Sequence, residues 1–384
     1  MTKWHILIHF IENFNDEMAL LTKILAPKQV VLVSSEKLTP QSKLQQVLNY
    51  MKSERIQVET QVVFYEQEEP LELTEQLLPY LKEEAAVNLA GTSPLEALLM
   101  TNLKNKYKVT MLYPDIRQNR LYVFRQDQLE VQILSKVIGS LEVKDYLALG
   151  GGLVLQDEKS KYETPLYEAM LHFLLEHYED IFSKIKHLFK PTTLHFSAPY
   201  EKEFYFEIGR LDLEREHQIA LRHYLEYLKE IKWIRRFEEY KVSTRVYAQN
   251  KEIEHYLSSG AWLEHVTYYY MKSIPGIRDV HTGFKFAWHT TEKHVHNELD
   301  VVATLNNHLI CISCKDTDKY DYQTLNELEV YATRLGGPES IKILVTTMPP
   351  IKSSTLDRAK GMGIHIIQIE DSLKTLSDKL NTLV

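Results

Sequence analysis

The sequence predicts an α/β protein made of two dissimilar α/β units, and three patterns carry that prediction. From the start to about residue 135, short apolar runs alternate with stretches of helical spacing. Over about 136–240 helical spacing dominates. From about 241 the order becomes helix, three strands, helix, strand, helix, strand. A chain of 384 residues also exceeds what one ordinary core accommodates.

In the first unit, HILIHFI (5–11), QVVLVSS (29–35), VETQVVFYE (58–66), AAVNLAG (85–91) and KVTMLYP (108–114) read as strands. Helical patterns at 16–26, 42–54, 71–84 and 95–105 separate them, and RLYVFRQ closes a hairpin. Strands separated by helices form βαβ crossovers and a parallel sheet. Such strands are buried on both faces, which explains their continuous apolar character. Ligands bind at the carboxyl ends of such strands near a topological switch point, here Glu12–Asn15, Ser34–Ser35 and Ala90–Pro94. Glu12-Asn13-Phe14-Asn15 follows the first strand where a dinucleotide-binding protein carries GxGxxG, so a nicotinamide oxidoreductase is excluded.

The middle region reads as a connector of helices and a short sheet. Gly150, Gly151 and Gly152 lack a following GK[ST] and read as a turn. The stretch 217–240 reads as an amphipathic helix whose end, Lys232, Arg235 and Arg236, is a solvated face.

Net charge is −8, and residues 245–384 hold 15 Lys and Arg against 17 Asp and Glu. A duplex clamp shows a basic excess, so nucleic-acid contact is expected to be local and single strands are favoured. No apolar run approaches the ~20 residues that span a bilayer. Cys311 and Cys314 are the only cysteines. They are too few for a disulfide framework or a four-ligand zinc site, and three apart on a strand they face opposite ways. A reducing, cytoplasmic setting is the expectation.

The chemistry concentrates in HNELDVVATLNNHLICISCK, two strands joined at Asn306–Asn307. Glu298 and Asp300 share one face, as do Ser313 and Lys315. Folding the hairpin brings Asp300 near Lys315, with Glu264 on the preceding helix. Carboxylates of this kind hold Mg²⁺ or Mn²⁺, and a lysine stabilises charge developing on a phosphate. A cross-strand Asp300–Lys315 ion pair on a wet sheet face is the other reading of the same spacing.

A helix glutamate, a strand aspartate and a lysine on the next strand, in this element order, resemble the PD-(D/E)xK nucleases. WLEHVTYY, NELDVV, ICISCK and LNELEVYATRLGG resemble more closely the nuclease half of the CARF-domain effectors that accompany type III CRISPR systems. The Rossmann-like first unit matches the CARF half, so the resemblance covers nearly the whole chain. It implies a CARF domain over 1–135, a helical connector over 136–240 and a restriction-endonuclease-like domain over 241–384. It further implies a homodimer that binds a cyclic oligoadenylate, cyclic tetra-adenylate first, and then cleaves nucleic acid with Mn²⁺ or Mg²⁺. Glu264 and Asp300 are the implied metal ligands, Lys315 the charge-stabilising residue, and Asn13, Phe14, Gly91, Thr92 and Ser93 the implied pocket. Two departures stand out. Ser313 occupies the position where the family usually has glutamate, which leaves open a ligand-binding module with a degenerate nuclease site. Ala90-Gly91-Thr92-Ser93-Pro94 replaces a TGGTK-like turn, so the lysine charge is absent.

Overall fold

A computed structural model describes residues 4–35, 41–54, 56, 58–66, 70–115, 118–126, 128–133, 141–190, 193–197, 203–209, 213–288, 296–370 and 372–384. The first unit runs β1 (Ile6–Phe10), α1 (Asp16–Leu25), β2 (Gln29–Ser35), α2 (Gln41–Ser53), β3 (Glu59–Tyr65), α3 (Pro70–Leu77), β4 (Ala85–Asn88), α4 (Pro94–Tyr107), β5 (Thr110–Asp115), β6 (Arg120–Arg125) and β7 (Gln128–Ile133). These strands form one seven-stranded sheet, ordered β3-β2-β1-β4-β5-β6-β7. The first five strands are parallel, and β6 and β7 turn back antiparallel. Alternate residues explain the burial of both faces. Leu7, Val30 and Leu32 pack with Met18, Leu21, Val47 and Tyr50 of α1 and α2. Ile6, Ile8, Val31 and Val33 pack with Leu73, Leu77, Met100 and Leu103 of α3 and α4. The strand order reverses between β1 and β4, so the loops after them flank the switch point.

The connector stretch mixes helices and strands. It contains α5 (Val143–Leu149), β8 (Gly152–Gln156), α6 (Pro165–His177), β9 (Leu194–Phe196), β10 (Tyr205–Gly209), α7 (Arg215–Glu230) and β11 (Ile234–Glu239). With β12 (Ser243–Ala248), three of its strands make a four-stranded antiparallel sheet, β11-β12-β10-β9. Gly151, at φ +79, forms the turn expected of the glycine run. The helix expected through 217–240 ends at Glu230. Lys232 takes φ +62, Trp233 is buried, and Arg236 lies on β11 with its guanidinium 3.6 Å from the centre of the Tyr247 ring.

The last unit contains α8 (Glu252–Ser258), α9 (Ala261–Ser273), β13 (Arg278–Trp288), β14 (Asn297–Leu305), β15 (His308–Lys315), α10 (Tyr322–Gly336), β16 (Ile341–Thr346), α11 (Ser354–Gly361), β17 (Ile364–Gln368) and α12 (Leu373–Leu383). Its six-stranded sheet, β17-β16-β15-β14-β13-β8, borrows its edge strand β8 from the connector stretch. One face carries Cys314, Val301 and Val345 against α6, α7, α9 and α12. The other carries Cys311, Val302 and Leu344 against α10 and α5, in a core that continues into α1 and α2. The two free cysteines therefore lie buried on opposite faces. Among the described residues, no helix is long and apolar enough to cross a membrane.

Candidate active site

Three elements converge at the end of β15. Asn306 and Asn307, at φ +49 and +65, make the two-residue turn that sets the β14–β15 register. Val301 pairs with Ile312, which places Asp300 across from Ser313. The α8–α9 corner turns at Gly260, φ +83, where a Cβ would come within 3.1 Å of Asp316 Cβ. Asp316 is tied down by Trp262 Nε1 at 3.2 Å, Thr347 Oγ1 at 2.6 Å and Lys190 Nζ at 3.0 Å. The start of α9 is thereby clamped to the strand end that carries Lys315, and Glu264 is brought over the sheet.

Asp300 Oδ2 is the hub. It accepts hydrogen bonds from Cys314 N at 2.6 Å, Ser313 Oγ at 3.1 Å and Lys315 Nζ at 3.4 Å. Burial disfavours the Lys315 ammonium, but Asp300 foremost, and Glu264 as well, outweigh it and raise its pKa. Burial, then Asp300 and Glu298, push the Glu264 carboxyl well above the usual carboxylate range, with Lys315 opposing. Glu298 is raised by burial and by Asp300, and its nearest cation is Lys285 at 3.8 Å. The sequence reading missed one neighbour, Glu158. It follows β8, hydrogen-bonds through its amide to Thr282 O, and lies 3.1 Å from Lys161 and 3.9 Å from Lys285. The apolar LVLQ that leads into Glu158 was the available signal.

Mutual repulsion among carboxylates is what a hard divalent cation relieves. Asp300 Oδ1 and both Glu264 oxygens make no hydrogen bond among the described residues. Unpaired carboxylate oxygens crowded together fit Mg²⁺ or Mn²⁺. No three His, Cys, Asp or Glu side chains close into a ready cage among the described residues, so main-chain oxygen and water would complete the shell.

The residues expected to line a ligand pocket fall into two groups. Asn13 and Phe14 line a cavity of about 550 Å³ with Ser42, Lys43 and Gln46 of α2 and Glu329, Thr333 and Arg334 of α10. That cavity lies between the two α/β units. Phe14 faces Gly337, whose Cβ would meet the ring at 3.3 Å. Burial, then the nearby Arg334, lower the Lys43 pKa, so two cations share one cavity. Gly91, Thr92 and Ser93 lie beyond Glu12 instead. A Cβ on Gly91, at φ +80, would come 2.8 Å from Phe10 O and 2.9 Å from Glu12 Oε1. Thr92 Oγ1 donates to Leu89 O at 2.6 Å, and Ser93 forms a capping box with Glu96 that serves the α4 N-terminus.

The fold defines a class: a Rossmann-like α/β unit joined to a second unit of restriction-endonuclease-like fold. Residues 251–383 match the family model of the Card1-like endonuclease domain. The likeness to solved structures extends over nearly the full length of the chain. Can2 from Sulfobacillus thermosulfidooxidans, solved in complex with cyclic tetra-adenylate, aligns with a TM-score of 0.72 at 15% identity, over 99% of this chain and 97% of that one. Protein VC1899 from Vibrio cholerae aligns at 0.72 and 19%, over 98% and 95%. A type III CRISPR defence DNA nuclease activated by cyclic oligoadenylate aligns at 0.55 and 17%, over 94% of this chain and 50% of that one. Comparison with curated protein sequences gives no match.

Proposed function

We propose that this protein is a nuclease of type III CRISPR defence that works as a homodimer, is switched on by a cyclic oligoadenylate, and cleaves single-stranded nucleic acid with Mn²⁺ or Mg²⁺. One observation carries the chemical part: Asp300 and Lys315 share a hydrogen-bonded hub, and the Glu264 carboxyl interacts electrostatically with both. Asp300 and Glu264 would hold the cation, which when bound polarises a phosphate and lowers the pKa of its water. Lys315 donates to the phosphoryl oxygen as charge develops there. The Cys314 amide and Ser313 hydroxyl fix the Asp300 carboxylate so that it faces the cleft in one orientation.

The cavity between the units supports the switch. Its two cations, Lys43 and Arg334, come from α2 and α10, so a phosphate bound between them is favoured more in one relative placement of the units than in another. Cyclic tetra-adenylate is the first ligand to test, given the Can2 complex. A second reading, a ligand-binding module with a degenerate site, is favoured by one contact. Ser313 spends its hydroxyl on Asp300 and offers no carboxylate. The experiment is incubation with labelled single- and double-stranded DNA and RNA, with and without cyclic tetra-adenylate and Mn²⁺. Ligand- and metal-dependent cleavage of the single strands supports the first reading, and ligand binding without any cleavage supports the second.

A further inference from the structure

Beside the carboxylates lies a second cavity, of about 390 Å³, that the chemistry above does not use. Tyr162, His265 and Tyr268 form its inner wall, Leu171 one side, and Tyr269 and Lys272 its rim. We propose that this pocket receives one unpaired nucleobase of a single-stranded substrate next to the cleavage site. The inference rests on the nuclease reading and names the substrate class of that site.

Its position follows from two elements that build both sites. The segment Glu158–Glu163 begins with the carboxylate beside the metal ligands. Its single turn, Lys159–Tyr162, then delivers Tyr162 to the pocket and Glu163 to its mouth. On α9, Glu264 faces the carboxylates, while His265, Tyr268, Tyr269 and Lys272 form the stripe that lines the pocket. Glu264 and the pocket residues His265 and Tyr268 thus lie within about one turn of the same helix, ~5 Å along its axis.

The lining suits a flat, neutral ring. Tyr162 and His265 stack at 4.5 Å with 13° between their planes, and Tyr269, 37% exposed, stands at the entrance. His265 is 2% exposed and bonds to Tyr256 OH through Nδ1 at 3.1 Å, while its Nε2 has no partner among the described residues. With Tyr256 donating to Nδ1, Nε2–H is left to meet a base carbonyl or ring nitrogen. The volume falls in the range of small-ligand pockets, about 300–1,000 Å³. At the mouth Lys272 is neutralised by Glu163 at 2.8 Å, and Glu168 adds a negative charge, so a phosphate is not what the pocket attracts. Bases are free to leave the stack in single strands and are tied up in a duplex.

The test uses the full chain with Lys315→Ala, which keeps the substrate intact, with and without Tyr269→Ala. Fluorescence anisotropy reads its affinity for labelled oligodeoxythymidylate, oligouridylate and a duplex, in the presence of cyclic tetra-adenylate. Tyr269→Ala is expected to weaken single-strand binding about 5- to 100-fold and leave duplex binding unchanged. Single strands with one abasic residue at successive positions should lose affinity at one position only, and Tyr269→Ala should erase that dip. The DNA and RNA arms show which sugar the pocket's strand carries. A flat abasic scan, or equal single-strand affinity with and without Tyr269→Ala, overturns the proposal. If wild type meanwhile cleaves single strands, the nuclease reading survives that failure. Neither cleavage by wild type nor binding by Lys315→Ala would overturn both.

Discussion

Lys23 Nζ lies 2.6 Å from Asp145 Oδ1, and this pair fastens α1 of the first unit to α5, the helix that leads toward the last unit. Asp145 is fully buried and also accepts from Tyr50 OH at 3.2 Å and Glu142 N at 2.8 Å. The same helix, α5, is gripped from the nuclease side. Val143 N donates to Asp279 Oδ2 at 2.6 Å, Leu141 N to Asn307 Oδ1 at 3.0 Å, and Tyr146 OH to Asn307 O. Asn307 is in the turn of the hairpin that bears Asp300 and Lys315. On the proposed function, α5 is the short, doubly held helix through which a shift of α1 and α2 would reach the hairpin that bears Asp300 and Lys315.

Replacing Lys23 should loosen that grip. Lys23→Met is expected to lower the ratio of ligand-stimulated to resting cleavage by about 5- to 150-fold, the span of ordinary coupling energies. Cleavage assayed with and without saturating cyclic tetra-adenylate gives the ratio. An unchanged ratio means that coupling bypasses α5.

Much of this was legible in the sequence, and the exceptions have physical causes. The parallel sheet showed itself because β1 and β2 are covered on both faces, so Leu7 and Ile8 are both apolar although they point opposite ways. Asp300 and Lys315 were conspicuous as charges within Val- and Ile-rich strands. Glu158 was hidden because β8 is an edge strand with Leu153, Val154 and Leu155 exposed, and its partner β13 is far away in sequence. The turn at Lys232 was hidden because helical periodicity runs past it, while burial of Trp233 among Tyr167 and Tyr256 decides the backbone. Phe14 was read as a pocket residue of the sensor alone, and its contact with Gly337 of the other unit is visible only in three dimensions.

His281 gives a pH signature. Burial disfavours its charge, but hydrogen bonds to Asp157 at 2.7 Å and Asp279 at 2.8 Å more than compensate, and its pKa rises to about 9. A pKa raised on folding contributes stability that is complete below the unfolded value of about 6.5 and is lost as pH climbs through about 9. His281→Gln should therefore cost on the order of 1–3 kcal/mol at pH 6, progressively less between about pH 6.5 and 9, and little above that. Denaturant titrations of both proteins at pH 6 and 10 measure this, and a pH-independent difference would count against the charged triad.

Asp300 has two tasks that substitution can separate. Asp300→Asn keeps an acceptor for the Cys314 amide but loses the charge, so folding should be near normal while cleavage falls by about 10²–10³-fold. Asp300→Ala also strands that amide, adding a stability loss of about 1–3 kcal/mol. Lys315→Ala should abolish cleavage and leave ligand binding intact. Single-turnover rates and thermal melts distinguish the three, and full ligand-stimulated cleavage by an Asp300→Asn, Lys315→Ala double variant would place the chemistry elsewhere.

Ser313→Glu tests the departure from the family pattern. Ser313 is half-buried across from Asp300, and its hydroxyl donates to the same oxygen that Lys315 approaches. A glutamate there removes that donor and adds a carboxylate to a group in which Glu264 and Glu298 already resist ionisation. Without metal, repulsion should lower the melting temperature by a few degrees, about what 1 kcal/mol produces in a chain of this size. With Mn²⁺ the sign should reverse, because the added oxygen is a hard ligand and the cation cancels the repulsion. Tightening the metal Kd about tenfold adds about 1.4 kcal/mol of stability at saturating metal. Melting curves in EDTA and across a Mn²⁺ titration read both effects, and cleavage should rise in step with metal occupancy. A variant destabilised equally in EDTA and in Mn²⁺ would mean that position 313 does not face the cation, and that the metal, if bound, is held from the Glu264 side alone.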